Sequence, residues 1–296
     1  MLSVLIPTYN YNIVPLVTAV QQQCSDAGIP YEIITLDDAS TNTAIHTDNQ
    51  AINQLPNCSY NILPVNIGRS AIRNLLAKKA QYSWMLFLDA DTLPADNNLV
   101  KNYLQHLKGE PEVIYGGILY QPEKPAATEI LRWVYGNERE ALPADKRTEN
   151  PYISLLTLNF CIHKDVFTAV QFNESIPNLR HEDTLFSYDL SRAKIPVTHI
   201  NNPVYHLGLE SSEVFLKKSE EAVVGLKYLT DHNLLPADYV RIAKAYNSLK
   251  KKHILPIFKI WHYISAPLFK TNLLGSKPNL FIFDLYRLGY FCSLNN

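Results

Sequence analysis

The first 120 residues alternate short apolar runs with stretches of helical periodicity. The apolar runs have the length of buried strands, and polar or turn-forming residues end each of them. The strands predicted from these runs are residues 2–6, 31–36, 61–65 and 84–88, and the helices predicted between them are residues 14–27 and 69–80. This alternation indicates βαβ units around a mostly parallel sheet, which is an α/β fold.

The pattern changes in the second half of the chain. Residues 120–148 are irregular, residues 153–162 are strand-like and residues 183–192 are helical. From Glu213 onward the spacing of apolar positions is helical, and after His253 aromatic residues are mixed with lysine and arginine. We therefore place a boundary near residue 210. It separates an α/β domain of residues 1–210 from a helical region of residues 211–296.

Composition excludes several classes of protein. The chain has 27 Lys and Arg against 28 Asp and Glu, so no overall positive field favours nucleic acid. The four cysteines are scattered without a C-x-x-C pair, which favours neither a zinc site nor a disulfide framework and suits the reducing cytosol. We find neither the pattern of a secretory signal nor an uninterrupted apolar run long enough for a transmembrane helix.

Acidic residues follow two of the predicted strands directly. Asp37 and Asp38 follow the second strand, and Asp89 and Asp91 follow the fourth. A single aspartate at a strand end is usually a turn former or helix cap. Ligands of open α/β sheets, however, bind beyond the carboxyl ends of the strands, where Mg²⁺ or Mn²⁺ can bridge carboxylates to phosphates. Two acidic sites, one with D-x-D spacing, therefore favour a cation that holds a diphosphate.

Five segments together resemble family 2 inverting glycosyltransferases. They are similar to the family's opening strand, its D-D-G-S turn, its N-x-G-x-x-x-x-R-N helix start, its D-x-D motif and its E-D motif. In this chain they read SVLIPTYN at residues 3–10, DDAS at 37–40, NIGRSAIRN at 66–74, LDAD at 88–91 and HED at 181–183. Each segment alone is weak, but all five in the family's order are specific. The resemblance implies a GT-A fold, a three-layer α/β sandwich for nucleotide-sugars, with a helical C-terminal extension.

The resemblance also implies how a nucleotide-sugar donor would be bound, with UDP as the default nucleotide. Pro7 and Tyr9 would line the pocket for the base, and Asp38 would hold the uracil or the ribose. These residues follow the first two strands, so they would meet at one edge of the sheet.

The sugar and diphosphate of the donor would lie against the D-x-D segment. Asp89 would contact the sugar or ribose, and Asp91 would bind Mn²⁺ or Mg²⁺ on the diphosphate. His206 is a candidate to complete the metal shell, although a lone histidine is more often structural. Arg69 or Arg73 would help to position donor charge, unless the side chain is simply solvated early in its helix.

The E-D motif would supply the catalytic base. Inverting transfer is a direct displacement, so the acceptor hydroxyl must lose a proton as it attacks the anomeric carbon. The resemblance assigns that role to Asp183, while Glu182 would bind the acceptor or cap the following helix. Either acidic residue would also interact favourably with the helix dipole in a purely structural role.

Three features depart from the family pattern. Ala39 stands where the family prefers glycine, and His181 replaces the glycine that often precedes E-D. Processive members carry Q-x-x-R-W after E-D together with membrane helices. The only Arg-Trp pair here, Arg132-Trp133, comes before E-D. We therefore expect a non-processive enzyme that adds one sugar per encounter.

Two other functions compete with glycosyl transfer. LDADT at residues 88–92 also matches the D-x-D-x-T signature of haloacid-dehalogenase-like phosphatases, in which the first aspartate is a covalent nucleophile. That signature normally closes the first strand of its domain, whereas more than eighty residues precede it here. The second alternative, a sugar-binding homologue without activity, would need lost carboxylates, but all four, Asp38, Asp89, Asp91 and Asp183, are present.

The segment of residues 253–296 allows two interpretations. Its aromatic and basic residues either pack as a helical cap or lie in a membrane interface.

The acceptor expected for such a single-sugar transferase is a glycan or a lipid-linked glycan, within cell-surface polysaccharide synthesis. The corresponding location is the cytoplasm, with peripheral contact at the inner face of the cell membrane.

Overall fold

The computed structural model describes residues 1–107, 110–178 and 180–294. The strands are β1 (Leu2–Thr8), β2 (Tyr31–Asp37), β3 (Cys58–Ile62), β4 (Trp84–Leu88), β5 (Thr92–Pro94), β6 (Val113–Tyr115), β7 (Ile118–Leu119), β8 (Asn159–His163), β9 (Val197–His199) and β10 (Val204–His206). The α-helices are α1 (Val14–Asp26), α2 (Thr43–Asn49), α3 (Arg69–Lys79), α4 (Leu99–His106), α5 (Ile130–Tyr135), α6 (Ala144–Thr148), α7 (Lys164–Ala169), α8 (Glu182–Arg192), α9 (Ser212–Asp231), α10 (Arg241–Lys251), α11 (Leu255–Leu273) and α12 (Leu280–Ser293). A 3₁₀-helix (Gln50–Gln54) and a π-helical turn (Gly136–Glu140) complete the elements.

The strands form two sheets. The larger has the order β3-β2-β1-β4-β8-β6-β9, in which β3, β2, β1 and β4 are parallel neighbours. Strand β8 runs antiparallel to both of its neighbours, and β6 and β9 are parallel. The smaller sheet has the order β5-β10-β7. The parallel half places the carboxyl ends of β1, β2 and β4 at one edge.

Side chains of each central strand pack on both faces of the larger sheet, because successive side chains of a strand point to opposite sides. Leu86 and Leu88 of β4 belong to one core cluster, while Met85 and Phe87 belong to the other. Strands buried on both faces have nearly continuous apolar runs, as the sequence of β4 does.

Helices cover both faces of this sheet. Helices α1 and α4 pack on the first cluster, and α3, α7 and α8 pack on the second. Apolar stripes make these contacts, with Leu16, Val17 and Val20 on α1 and with Ile72 and Leu76 on α3. The predicted three-layer α/β sandwich is therefore confirmed.

Two predicted strands differ from the observed ones. Strand β3 is Cys58–Ile62 instead of residues 61–65, because its register against β2 pairs Cys58 with Ile33 and ends where Ile62 meets Asp37. Val65, an apolar residue of the predicted run, is 61% exposed. In the predicted segment 153–162, only Asn159 onward forms strand β8.

The chain groups into two compact units. The first contains Met1–Gln121, Glu140–Asn178 and Glu182–Gly208. The second contains Pro122–Arg139 and the described residues of Leu179–His181 and Leu209–Asn296. The boundary near residue 210 stays a prediction about domains. The second unit adds, to the helices beyond that boundary, an earlier segment that includes α5.

The second unit has its own apolar core and is helical, as predicted for the C-terminal region. Side chains of α5, α9, α11 and α12 form this core, which contains Leu131, Leu216, Leu273, Leu280, Phe283 and Tyr286. Within the described part of the chain, no helix is both long and apolar enough to cross a bilayer.

Candidate functional site

The candidate site lies in the first unit, at the carboxyl-end edge of the parallel strands. Strand β1 pairs with β2 on one side and with β4 on the other. The turns that follow these three strands are therefore neighbours. Tyr9, Asp38 and the Asp89–Asp91 turn lie at this edge, which is where open α/β sheets bind ligands.

The turn after β2 is held together by Asp37. Its carboxylate is fully buried and accepts hydrogen bonds from the Ser40 amide at 2.6 Å and from the Tyr60 hydroxyl at 2.6 Å. Burial and this hydrogen bond raise the pKa of Tyr60. Asp37 therefore acts as a structural residue that shapes the turn.

The neighbouring carboxylate of Asp38 binds backbone instead of facing open space. Its two oxygens accept hydrogen bonds from the amides of Ile67 at 2.7 Å and Gly68 at 3.0 Å. Asn66 adds a side-chain hydrogen bond to the Asp38 carbonyl. Gly68 has a φ of +84°, a conformation that favours glycine. Asp38 thus fixes the start of α3 at the predicted edge, and each oxygen keeps lone pairs for a ligand.

The turn after β1 is joined to the turn after β2 by Asn10. The Asn10 side-chain oxygen accepts hydrogen bonds from the amides of Thr41 at 2.9 Å and Asn42 at 3.0 Å, and its own amide donates to Ser40. Asn10 has a φ of +52°, which asparagine tolerates better than most residues. Tyr9 beside it is 49% exposed. No role for Asn10 was predicted from the sequence, although its position between Tyr9 and α1 was a usable signal.

Arg73 links the D-x-D segment to the E-D segment. This buried arginine of α3 donates to Asp89 Oδ1 at 2.8 Å, and its second terminal nitrogen lies 3.5 Å from Glu182 Oε1. Its guanidinium also lies 5.5 Å from the centre of the Phe172 ring. Arg69, by contrast, is exposed and pairs with no described carboxylate. Of the two candidate arginines, Arg73 is the one in the cluster.

Asp89 and Asp183 both have raised pKa values. Burial is the main cause for each carboxyl group, and neighbouring negative charge adds to it. For Asp183 that charge is Glu182, and the pKa rises to about 6 despite hydrogen bonds from Thr184. A carboxylate with such a pKa accepts a proton more readily than an ordinary aspartate.

Asp91 and His206 meet although 115 positions separate them in the sequence. Strand β5, which starts directly after Asp91, pairs with β10, and β10 ends at His206. The distance from Asp91 Oδ2 to His206 Nε2 is 3.2 Å. Two adjacent ligands of an octahedral ion with bonds near 2.1 Å lie about 3.0 Å apart, so the pair fits a divalent cation.

The cation would depend on further ligands from outside the protein. Across the described residues, no cluster of three or more His, Cys, Asp or Glu side chains could hold a metal. His206 Nδ1 is buried and has no hydrogen-bond partner there, whereas a ligating imidazole usually donates from its other nitrogen. Two protein ligands suit Mg²⁺ or Mn²⁺ that a diphosphate and water complete.

Comparison with known proteins gives the family. The Glycosyl transferase family 2 model matches residues 3–166, more than half of the 296-residue chain. An uncharacterised glycosyltransferase of Haemophilus influenzae is 26% identical over 197 residues, which cover 64% of this chain and 71% of that protein. The chain belongs to glycosyl transferase family 2. It is a glycosyltransferase, and the D-x-D segment is no longer a reason to consider a phosphatase.

Solved structures share the fold of this transferase. The mannosyltransferase PcManGT of Pyrobaculum calidifontis, in complex with GDP-Man and Mn²⁺, matches with a TM-score of 0.57 at 12% identity. The match covers 99% of this chain and 85% of PcManGT. S. aureus TarS has a TM-score of 0.50 at 18% identity, with 75% of this chain covering 39% of TarS. The chain thus spans less than two thirds of TarS. These likenesses confirm the GT-A fold.

Two departures of this transferase from the family pattern coincide with left-handed backbone. Ala39, which replaces the preferred glycine of D-D-G-S, has a φ of +59°, and His181 before E-D has a φ of +69°. A residue with a side chain in this conformation costs about 1–2 kcal/mol. Both turns therefore keep the backbone conformation that glycine favours, although neither residue has the conformational freedom of glycine.

The contact between Asp91 and His206 also depends on Gly208. A Cβ atom built on Gly208 would lie 2.4 Å from Asp91 Oδ2, closer than real Cβ contacts allow. The preceding Leu207 donates its amide to the Asp91 carbonyl at 2.7 Å. The chain after β10 is therefore packed directly against Asp91.

Proposed function

We propose that this transferase is an inverting, metal-dependent enzyme that moves one sugar from a nucleotide-sugar to a hydroxyl of a glycan or lipid-linked acceptor. The observation that supports this most is the linkage of Asp89 to Glu182 through Arg73. It brings the carboxylate assigned to the donor sugar close to the E-D segment assigned to the acceptor.

The donor would lie across the turns after β1, β2 and β4. The half-exposed ring of Tyr9 would stack on the base, with Pro7 beside it, and Asp38 would accept from the uracil or ribose. UDP is the default nucleotide because of the family resemblance. Asp91 and His206 would hold Mn²⁺ or Mg²⁺, which neutralises the charge that develops on the leaving diphosphate.

Asp183 would act on the acceptor. As the acceptor oxygen bonds to the anomeric carbon, the bond from that carbon to the diphosphate oxygen breaks, and Asp183 takes the hydroxyl proton. Direct displacement inverts the anomeric configuration. The raised pKa of Asp183 supports this role, because a stronger base removes the proton more easily.

A thermal-shift experiment tests the donor site. The full chain is melted with UDP, GDP, UDP-GlcNAc or GDP-mannose, each with and without Mn²⁺. We expect a nucleotide to stabilise the protein only with Mn²⁺, by about 2.7 kcal/mol at a hundredfold excess over its Kd. Equal stabilisation without the metal would contradict metal dependence. No stabilisation by any nucleotide would contradict the donor site.

The stereochemistry needs a separate experiment. NMR of the first product formed from an α-linked donor should show a β-linked sugar. Retention of the α configuration would contradict the direct displacement and the role of Asp183, while the assignment as a glycosyltransferase would stand.

We also propose that α11 contacts the inner face of the cell membrane. Ile257, Ile260, Ile264 and Leu268 lie on one side of this helix and are each between 64% and 74% exposed. Residues 241–296 contain nine Lys or Arg and a single acidic residue, so their net charge is about +8 in a protein whose total is −1. An apolar stripe within a basic region fits an anionic lipid surface.

The sequence predicted membrane contact for the whole segment 253–296, but only part of that segment is exposed. Phe283 and Tyr286, two aromatic residues of that segment, are buried in the core of the second unit. Tyr263 and Phe281 are exposed. The contact would therefore involve α11 and the start of α12, with the rest of α12 serving as core.

Flotation with liposomes tests this contact. The full chain should float with vesicles of equal phosphatidylglycerol and phosphatidylcholine, and less as salt is added. The double variant Ile260→Glu, Ile264→Glu should stay at the bottom. The matched control is Ile153→Glu, an exposed isoleucine of the first unit, which should float like the wild type. Flotation of the double variant at the wild-type level would contradict the proposal.

A further inference from the structure

The second unit contains a cavity of about 380 Å³ that the transfer reaction does not use. It lies among α9, α10, α12 and the segment that ends at Arg139. Leu226, Ile242 and Leu288, one from each helix, contribute to an apolar wall. Its volume is within the range of small-molecule sites.

Three arginines line this cavity, but only one carboxylate does. Arg139 pairs with that carboxylate, Asp284, at 3.1 Å. Arg241 and Arg287 pair with no carboxylate among the residues that the structure describes. The cavity therefore has an excess of two positive charges beside an apolar wall.

Arg287 also contains an unsatisfied donor. Its Nε atom is buried and has no hydrogen-bond partner within the described ranges, while its guanidinium lies 5.5 Å from the Phe283 ring centre. A buried donor without an acceptor destabilises the protein. Arg287 also lines the cavity, so an anionic oxygen bound there would give its guanidinium an acceptor.

We infer that this cavity binds a phosphate monoester with an alkyl tail, its phosphate held by Arg241 and Arg287 and its tail against the apolar wall. Guanidinium groups match phosphate oxygens in geometry and charge. A phosphate monoester carries about −1.5 to −2 at neutral pH, which balances two unpaired arginines. A carboxylate head group, with a single charge, balances only one of them.

This inference goes beyond the proposed function and does not rest on it. The residues of the cavity belong to the second unit, whereas Asp89, Asp91 and Asp183 belong to the first. It shares Phe281 with the proposed membrane contact, but the exposed isoleucines of α11 do not line the cavity.

Isothermal titration of the full chain with dodecyl phosphate, below its micelle concentration, tests the inference. Inorganic phosphate tests the head group alone, dodecanoate tests the charge, and the neutral octaethylene glycol monododecyl ether tests the tail. We expect saturable binding of one dodecyl phosphate per chain. Each of the other three probes should bind at least about tenfold more weakly, a difference of 1.4 kcal/mol.

Variants locate the site. Arg241→Gln and Arg287→Gln should each weaken binding of dodecyl phosphate at least tenfold, and Ala245→Trp should block it by filling the cavity. The matched control is Lys244→Gln, which removes one charge from the same helix at an exposed position outside the cavity and should bind normally. Ile264→Glu should also bind normally, because it alters only the α11 stripe.

Three results would overturn the inference. They are no saturable binding by the wild type, binding of inorganic phosphate as tight as that of dodecyl phosphate, and equal weakening by Lys244→Gln and Arg241→Gln. Arg287 is partly buried, so its variant is compared only if its melting curve shows a folded protein. Arg241 is exposed, and its variant decides the question if the Arg287 variant is unstable.

Discussion

The turns after β2 and β4 each carry two aspartates, but their environments are opposite. In the first turn, three backbone amides and the Tyr60 hydroxyl donate to Asp37 and Asp38, which are 0% and 6% exposed. In the second turn, the side chains of Asp89 and Asp91 are each one third exposed and face the cations Arg73 and, when protonated, His206.

The difference shows what decides the use of a carboxylate. A carboxylate that accepts several backbone hydrogen bonds has fixed geometry and strengthens the fold. One that faces side-chain cations at a partly open edge can exchange these partners for a metal or a substrate. We therefore expect loss of stability from changes of Asp37 in the first turn and loss of transfer from changes in the second.

The largest effect is expected for Asp91→Asn. Transfer should fall by about 10³-fold or more, because the cation that neutralises the leaving diphosphate would lose its carboxylate ligand. Titration of nucleotide with and without Mn²⁺ should show that the metal no longer helps binding. The melting temperature should stay close to that of the wild type. Metal-dependent affinity at the wild-type level would contradict the role of Asp91.

Asp183→Asn should lower kcat by about 10²- to 10⁴-fold while donor affinity is kept, because a base acts in the transition state. Its pKa is raised in the ligand-free chain, so wild-type kcat/KM should fall as the pH drops through about 6, instead of through the range of an ordinary aspartate. Initial rates between pH 5 and 8 check this. Loss of donor affinity in the variant would instead place Asp183 in the donor site.

Asp183→Asn, which lowers the rate of transfer, should raise the stability of the fold. Because the pKa of Asp183 is higher in the folded chain than in the unfolded one, the fold loses stability as the pH rises from the ordinary value of 3.8 to about 6. The asparagine variant does not ionise, so it should be more stable than the wild type at pH 7.5. Thermal melts from pH 4 to 7.5 should show a gain that grows with pH up to about 6 and is largest at pH 7.5.

Asp37→Ala should reduce the free energy of unfolding by about 2–6 kcal/mol. It leaves the Ser40 amide and the buried Tyr60 hydroxyl without acceptors, at about 1–3 kcal/mol each. Urea denaturation measures the loss. In the folded protein transfer should fall less than tenfold, and a stable but inactive variant would make the two turns functionally alike.

The smallest effect is expected for Ala39→Gly. Glycine removes the cost of the left-handed φ but adds entropy to the unfolded chain, so the expected gain is at most about 1 kcal/mol. A shift of the urea midpoint checks it. A loss of stability would show that the methyl group of Ala39 contributes packing that outweighs its backbone conformation.

Some parts of this structure follow directly from the sequence. The apolar runs of β1 and β4 predict buried parallel strands, and the five ordered segments place Asp89, Asp91 and Asp183 in one family pattern. The contact of Asp91 with His206 was suggested by the resemblance alone. It depends on the three-residue strands β5 and β10, which are too short to show any periodicity.

Other parts depend on contacts between distant residues. The sequence alone does not show that Asp38 binds the amides of Ile67 and Gly68, because these donors arrive only when α3 packs on the sheet. The cavity of the second unit combines Arg139 with Arg241 and Arg287, more than a hundred positions away, so no local motif marks it.

The closeness of Gly208 to Asp91 makes the position of that carboxylate depend on a residue outside the D-x-D segment. A change of Gly208 to alanine adds one methyl group, yet it would push the Asp91 carboxylate out of place while every ligand residue stays in the sequence. A homologue with an intact D-x-D motif but a larger residue at this position should therefore be suspected of having lost transfer. When relatives are sorted into active and inactive members, the residue at this position should therefore be compared together with the aspartates.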